Sequence, residues 1–233
     1  STFLRWEVME EIEIYGTRHT LDRVHDLIFG VVLRGFRGKP PVTLHEITPG
    51  TFFETERFTL TAFPVDHRGS SSLGFRFEER SRRPFLPEKA EVLDIPPGPW
   101  RRDLVAGKVV QLPDGRKIQP DQVLGDERLG TSLVVVGDTG NAEKLKPHIQ
   151  DADALVIEAT YIQAEADLAE RFDHLTAHTA AELAKDAGIG KLFLTHLSRR
   201  YRERDVVDEA RLVFPGTHVA RDFDRFQIKR ESD

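Results

Sequence analysis

Four runs of apolar residues end in groups that can do chemistry. Leu133-Val-Val-Val136 leads into Gly137-Asp138-Thr139, Leu155-Val-Ile157 into Glu158-Ala-Thr160-Tyr161, and Leu192-Phe-Leu194 into Thr195-His196. The alternating segment from Arg57 to Val65 leads into Asp66-His67. Two imidazoles and a carboxylate, His67, Asp138 and His196, suit a hard or borderline divalent metal. The sequence has no Cys, so thiolate nucleophiles and Cys-type metal sites are excluded. Gly137 and Gly140 beside Asp138 are expected to let the backbone turn so that the carboxylate faces a cavity. His174, in His174-Leu-Thr176-Ala-His178, stands just before a capped helix. From there it can reach the same edge and stabilise charge or move a proton, as displacement at a phosphodiester requires. His178 reads as a supporting or packing residue. His19, His25, His45, His148 and His218 read as surface or packing residues.

These groups meet only if the elements bearing them line up. From residue 131 strands alternate with helices: strands at 132–136, 154–157 and 191–195, helices at 142–149, 162–171, from Thr176 to Gly188, and 203–213. In such a sheet the carboxyl ends of the strands share one edge, where ligands bind. Asp138, Glu158 and His196 therefore converge although far apart in sequence, and His67 joins them from the strand before it. Residues 42–78 read as short strands, with a turn at 69–72, and 11–15 as another. Two strand-like pieces, near 217–221 and 225–229, close the chain.

Residues 80–130 break this rhythm with seven prolines and one expected hairpin, 107–118, turning at Asp114-Gly115. We read this region as an insertion with little core of its own. Residues 76–117 hold ten Lys/Arg against seven Asp/Glu, a net +3 that leaves −9 on the rest. The chain of 233 residues carries −6 overall, so a nucleic-acid partner needs a local basic patch or a metal. With 39% hydrophobic and 31% charged residues it has an ordinary globular composition, and no run approaches a membrane span. Absence of Cys fits a reducing, cytoplasmic setting.

Taken together and in order, these segments resemble the ribonuclease Z family, tRNA 3′-processing endonucleases of the metallo-β-lactamase superfamily. Val136-Gly-Asp138-Thr139 resembles its G-D-T segment, Glu158-Ala-Thr-Tyr161 its E-A-T-[FY], and His174-Leu-Thr176 its H-[SL]-T helix start. Leu194-Thr-His196-Leu-Ser198-Arg-Arg200-Tyr201 resembles L-T-H-x-S-x-R-Y. Pro64-Val-Asp-His67 with Gly74-Phe-Arg76 and Glu78 resembles V-x-H…G-Y-R-x-E, with Phe75 where Tyr is usual. Ile95-Pro-Pro-Gly98-Pro99 resembles the Gly-Pro segment of the family's flexible tRNA-holding arm.

The resemblance implies an α/β fold, a metallo-β-lactamase-like four-layer αββα sandwich with a protruding arm insertion. It divides the chain into a partial N-terminal half at 1–79, an arm at 80–130 and a C-terminal half at 131–233. It implies two zinc ions per subunit, held by His67, Asp138 (bridging) and His196; the donor types suit manganese or iron as well. His174 is then the group serving the leaving oxygen, Glu158 orients it, and Arg200 and Tyr201 organise the edge or contact phosphate. Gly98, Pro99, Arg101 and Arg102 belong to the substrate-holding arm. The implied reaction is removal of the 3′ trailer of precursor tRNA by a hydroxide that the metals supply, leaving a 3′-OH on the tRNA. The implied assembly is a homodimer in which one subunit's arm serves the other.

The H-x-H-x-D-H motif of the superfamily is absent from these 233 residues. The opening STFLRWEV has no initiator Met and no signal-peptide pattern, so the chain is expected to begin inside a fold and to lack the family's leading segment. On that expectation the polypeptide alone binds zinc poorly and does not cleave. Two other readings stay open: a non-catalytic piece that binds tRNA through 80–118, and a hydrolase of the same fold acting on a small ester or phosphodiester.

Overall fold

The computed structural model describes residues 11–35 and 40–230. The opening residues 1–8, read above, lie outside them. The apolar runs form the centre of a seven-stranded sheet. β8 (Ser132–Val135), β9 (Ala154–Glu158) and β10 (Lys191–Thr195) are parallel, with Val135 paired to Val156 and Glu158 to Thr195. β11 (Thr217–Val219) adds in parallel to β10. On the other side β5 (Ser70–Glu79) runs antiparallel to β8, followed by β4 (Phe58–His67) and β3 (Gly50–Glu54). Hence β4 points the way β8 does, and His67 ends at the edge where β8, β9 and β10 end. A separate parallel pair joins β1 (Ile12–Gly16) to β2 (Val42–Glu46).

The β4–β5 turn falls at Arg68 and Gly69, with φ of 47° and 67°. Positive φ at both positions matches the twist of a tight hairpin, which most residues resist and Gly accepts. The turn thus comes earlier than the expected 69–72, and β5 starts at Ser70. Residues 225–229 form no strand; the Phe226 ring packs instead on Phe193, 4.6 Å between centroids. Residues 18–32, for which the sequence offered no element, form α1 (Arg18–His25) and a wider helical turn, Asp26–Val32.

The remaining helices of this unit are α4 (Lys146–Ile149), α5 (Ala166–Phe172), α6 (Ala177–Asp186) and α7 (Glu203–Val213). The 142–149 and 162–171 segments open as 3₁₀ turns before becoming α4 and α5. α6 starts because the Thr176 hydroxyl accepts from the Thr179 N–H. Its buried stripe is Ala177, Ala180, Ala181, Leu183 and Ala184, in which the alanines let the helix lie close to its neighbours and Leu183 fills the core. The core beneath includes Val134, Leu155, Ile157, Leu192 and Leu194, the inward faces of the strands that carry the polar ends.

Residues 79–130 form a second compact unit. It contains α2 (Pro87–Val92), α3 (Pro99–Val105) and the short antiparallel pair β6 (Val110–Gln111) and β7 (Lys117–Ile118), with Gly115 at φ 88° in the turn. The expectation of little core is wrong. Ile95, Leu104, Val110, Leu112, Ile118, Val123 and Leu124 are buried together, with Phe85, Leu93 and Trp100 against them. Pro87 and Pro99 occupy the first turns of α2 and α3, where a missing N–H leaves nothing unpaired, so they start helices rather than break a pattern.

Candidate metal centre

The site assembles at the carboxyl ends of β4, β8, β9 and β10. His67 is the last residue of β4, and its Nδ1 lies 2.9 Å from the carbonyl oxygen of Asp173. A carbonyl only accepts, so Nδ1 carries the proton and Nε2 keeps a free lone pair. The loop bearing Asp138 is tied down on both sides. The Thr139 N–H donates to Glu158 Oε1 (2.9 Å), and the Thr139 hydroxyl and Gly140 N–H both donate to the Asp66 carbonyl (3.1 Å each). Neither Gly137 nor Gly140 has a positive φ, so the expected turning role is not used. Gly140 serves a different purpose: a Cβ there would collide with the Asp173 carboxylate.

Glu158 is completely buried at the end of β9. A buried carboxylate is costly unless its oxygens are satisfied, and here four donors surround it. Oε1 receives Thr139 N–H and faces His174 Nδ1 at 2.8 Å; Oε2 receives Thr160 N–H at 3.2 Å and the Thr160 hydroxyl at 2.5 Å. His174 therefore has its Nδ1 proton on Glu158. His196 follows β10 with φ of 54°, an uncommon backbone for a side chain of this size. Its Nδ1 is 2.7 Å from Thr160 Oγ1 and 3.4 Å from Asp138 Oδ1.

The imidazoles cluster: His174 is 5.1 Å from His67 and 5.4 Å from His196 between ring centroids. Ligand atoms of His67, Asp138 and His174 lie within 4.8 Å of one another, as do those of Glu158, His174 and His196. Nitrogen and carboxylate donors at such separations, with His67 Nε2 unprotonated, fit a divalent metal. A cavity of about 520 Å³ opens beside His67 and Asp138, walled by Tyr15, Thr20, Leu73 and Phe75, within the usual range of ligand sites.

Arg200 and Tyr201 both bond to Glu165, the Arg200 Nη2 at 2.6 Å, so they brace the loop after β10. His178 pairs with Glu182 at 3.2 Å and stays out of the cluster. In the 79–130 unit, Gly98 takes φ 123° at the start of α3 and Pro99 is its first residue. Arg101 donates twice to the Ile95 carbonyl (3.0 and 2.6 Å) and lies over the Phe85 ring, a structural strut. Arg102 is exposed. Sequence reasoning missed Thr139, Thr160 and Asp173. Thr160 sat inside a quoted motif without a role, and Asp173 acts through its backbone carbonyl, which no side-chain pattern announces.

No family model matches the chain. Ribonuclease Z of Bradyrhizobium sp. (strain ORS 278) is 41% identical over 217 residues, spanning 93% of this chain and 72% of that protein. The chain belongs to the ribonuclease Z family. Ribonuclease Z of Gemmatimonas aurantiaca is 40% identical, over 91% of this chain and 68% of its own length. Among solved structures, human tRNase Z short form superposes with a TM-score of 0.57 at 21% identity, covering 95% of this chain and 70% of that one. The metallo-β-lactamase fold protein YhfI from Bacillus subtilis gives 0.58 at 17%, covering 93% and 65%. The fold of this ribonuclease Z family member is thus the metallo-β-lactamase fold. Its G-D-T, E-A-T-Y, H-L-T and L-T-H-x-S-x-R-Y segments are the loops that converge on the imidazole cluster.

Proposed function

We propose that this ribonuclease Z family member is a metal-dependent endoribonuclease that removes the 3′ trailer of precursor tRNA, leaving a 3′-OH on the tRNA. The observation that carries the reading is the gathering of His67, Asp138 and His196, from the ends of β4, β8 and β10, with His174 from the loop before α6, in a chain with this kinship. His67, Asp138 and His196 would hold the metal, zinc in the complete site. A divalent metal bound there would supply charge stabilisation at the scissile phosphodiester and a nucleophilic water near neutral pH.

The chain's own groups do the rest. His67 is fixed by the Asp173 carbonyl, so its Nε2 stays a ligand. Glu158 holds the Nδ1 proton of His174 and stabilises its imidazolium form, whose second proton, on Nε2, is the one His174 passes to the departing oxygen. Buried Glu158 also fixes the Asp138 loop through Thr139. Arg200 and Tyr201 organise the edge through Glu165. Residues 80–130 serve as the arm: Gly98, Pro99 and Arg101 shape α3, and Arg102 contacts the tRNA backbone in a salt-sensitive way. The protein works as a cytoplasmic homodimer. Among the described residues no helix is long and apolar enough to cross a membrane.

The 233 residues contain no H-x-H-x-D-H, so as given they hold metal weakly and do not cleave. Metal content and cleavage of 3′-extended precursor tRNA, measured on this polypeptide and on a version carrying that motif from a relative, test both statements. Cleavage only with the motif, abolished by chelator, is expected. Chelator-resistant cleavage, or none in either form, overturns the reading.

A further inference from the structure

Thr160 has a single hydroxyl proton and four polar neighbours. Its Oγ1 lies 2.5 Å from Glu158 Oε2, 2.7 Å from His196 Nδ1, 3.2 Å from the His196 carbonyl oxygen and 3.3 Å from His174 Nδ1. The last cannot accept, because its proton already points at Glu158 Oε1 at 2.8 Å. The carbonyl is distant beside the first two. If the hydroxyl gave its proton to His196, two oxygen lone pairs would face each other across 2.5 Å at the carboxylate. The proton therefore goes to Glu158, the shortest and charge-assisted bond. Oγ1 is left with lone pairs only, so the His196 nitrogen 2.7 Å away must be the donor.

We infer that Thr160 is a positioning residue that sets the tautomer of His196, relaying the buried Glu158 carboxylate so that Nδ1 is protonated and Nε2 is left bare for a cation. One carboxylate then orders two imidazoles, His174 directly and His196 through one hydroxyl. Thr160 is well placed to do so: it is 9% exposed, and its own N–H is pinned to Glu158 Oε2 at 3.2 Å. His196 needs such a hold, since its side chain is 51% exposed and its backbone sits at φ 54°. The consequence for metal binding rests on the reading of His196 as a ligand; the tautomer itself does not. Partners that fix a ligand's tautomer typically matter roughly ten- to hundredfold in metal affinity.

The test uses the full chain labelled with ¹⁵N, freed of metal with chelator and held well above the ordinary imidazole pKa. Long-range ¹H–¹⁵N correlations report which nitrogen of His196 carries the proton, with assignment by the signals lost in His196→Gln. The expected result is Nδ1–H in the unaltered chain and in Thr160→Ser, and a shift toward Nε2–H in Thr160→Val. Zinc affinity, read by competition with a chelating dye, falls roughly ten- to hundredfold in Thr160→Val and is kept in Thr160→Ser. His196 found as Nε2–H in the unaltered chain overturns the inference, as does Thr160→Val retaining both Nδ1–H and full affinity. Should the valine variant not fold, the unaltered and serine spectra decide. The tautomer is read without metal or RNA, so Nδ1–H in this chain, together with no cutting of precursor tRNA even by the version that carries H-x-H-x-D-H, contradicts the proposed function alone.

Discussion

The two sides of the imidazole cluster are built to different rules. On the inner side Glu158 and His174 are 1% and 10% exposed, and every oxygen of the carboxylate is bonded to the protein. On the outer side Asp138 and His196 are 36% and 51% exposed, and the Asp138 carboxylate faces His196 at 3.4 Å. The inner side is complete without any guest. Its bonds are made on folding and hold the loops of β8 and β9 in place. On the outer side the Asp138 carboxylate lines the cavity and His196 is held at Nδ1 by the Thr160 hydroxyl. Half-exposed donors arranged this way keep a capacity for a cation that the buried carboxylate, with both oxygens bonded, lacks. Stability should therefore reside in the inner side and ligand binding in the outer.

The largest expected effect is from Glu158→Ala. It leaves the Thr139 and Thr160 N–H groups and His174 Nδ1 without an acceptor in a buried place. Each stranded donor costs about 1–3 kcal/mol, so a loss of about 3 kcal/mol or more is expected in urea unfolding of the metal-free chain. A loss below about 1 kcal/mol would mean that water replaces the carboxylate freely and that the inner side is not the rigid one.

Asp138→Ala should separate the two properties. The side chain is 36% exposed and, among the described residues, accepts no hydrogen bond from the backbone, so metal-free stability should change by no more than about 0.5 kcal/mol. The stabilisation that added zinc gives the unaltered protein should vanish, because a ligand that binds only the folded state raises its melting temperature by mass action. Thermal scans with and without zinc check this. A metal-free loss as large as that of Glu158→Ala would erase the contrast.

The legible parts of the fold share one property, a periodic apolar pattern long enough to be counted. β10 and α7 fall where expected, at Lys191–Thr195 and Glu203–Val213, and Thr176 caps α6. The polar ends of the strands were legible for the same reason, since parallel strands bring their carboxyl ends to one edge. The 79–130 core was not, because it draws single apolar residues such as Ile95, Leu104 and Val123 from short elements, and no window holds a period. Thr160 and the Asp173 carbonyl were illegible for another reason: their role is set by distance across loops, and neither a hydroxyl nor a carbonyl is rare enough in sequence to stand out.

The surface supplies the far end of the same scale. Glu203 opens α7 and accepts from the Arg221 guanidinium at 2.7 and 2.9 Å, with 39% of its side chain exposed. The hydrogen bond from Arg221 holds the Glu203 carboxyl below its ordinary value of 4.5; partial burial opposes this, and the charge of Arg221 supports it. A carboxyl depressed in the folded state binds its proton more readily when unfolded. Its contribution is therefore complete above 4.5 and is lost as pH falls through the folded value. Glu203→Gln should cost less than about 1 kcal/mol at neutral pH, less again in high salt, and nothing once the medium is acidic enough to protonate the native carboxyl. Urea midpoints of the two proteins, followed from neutral pH into acid, should converge. If they stay apart, or if the neutral loss rivals that of Glu158→Ala, burial is not what ranks these carboxylates, and the contrast between the two sides of the site loses its physical basis.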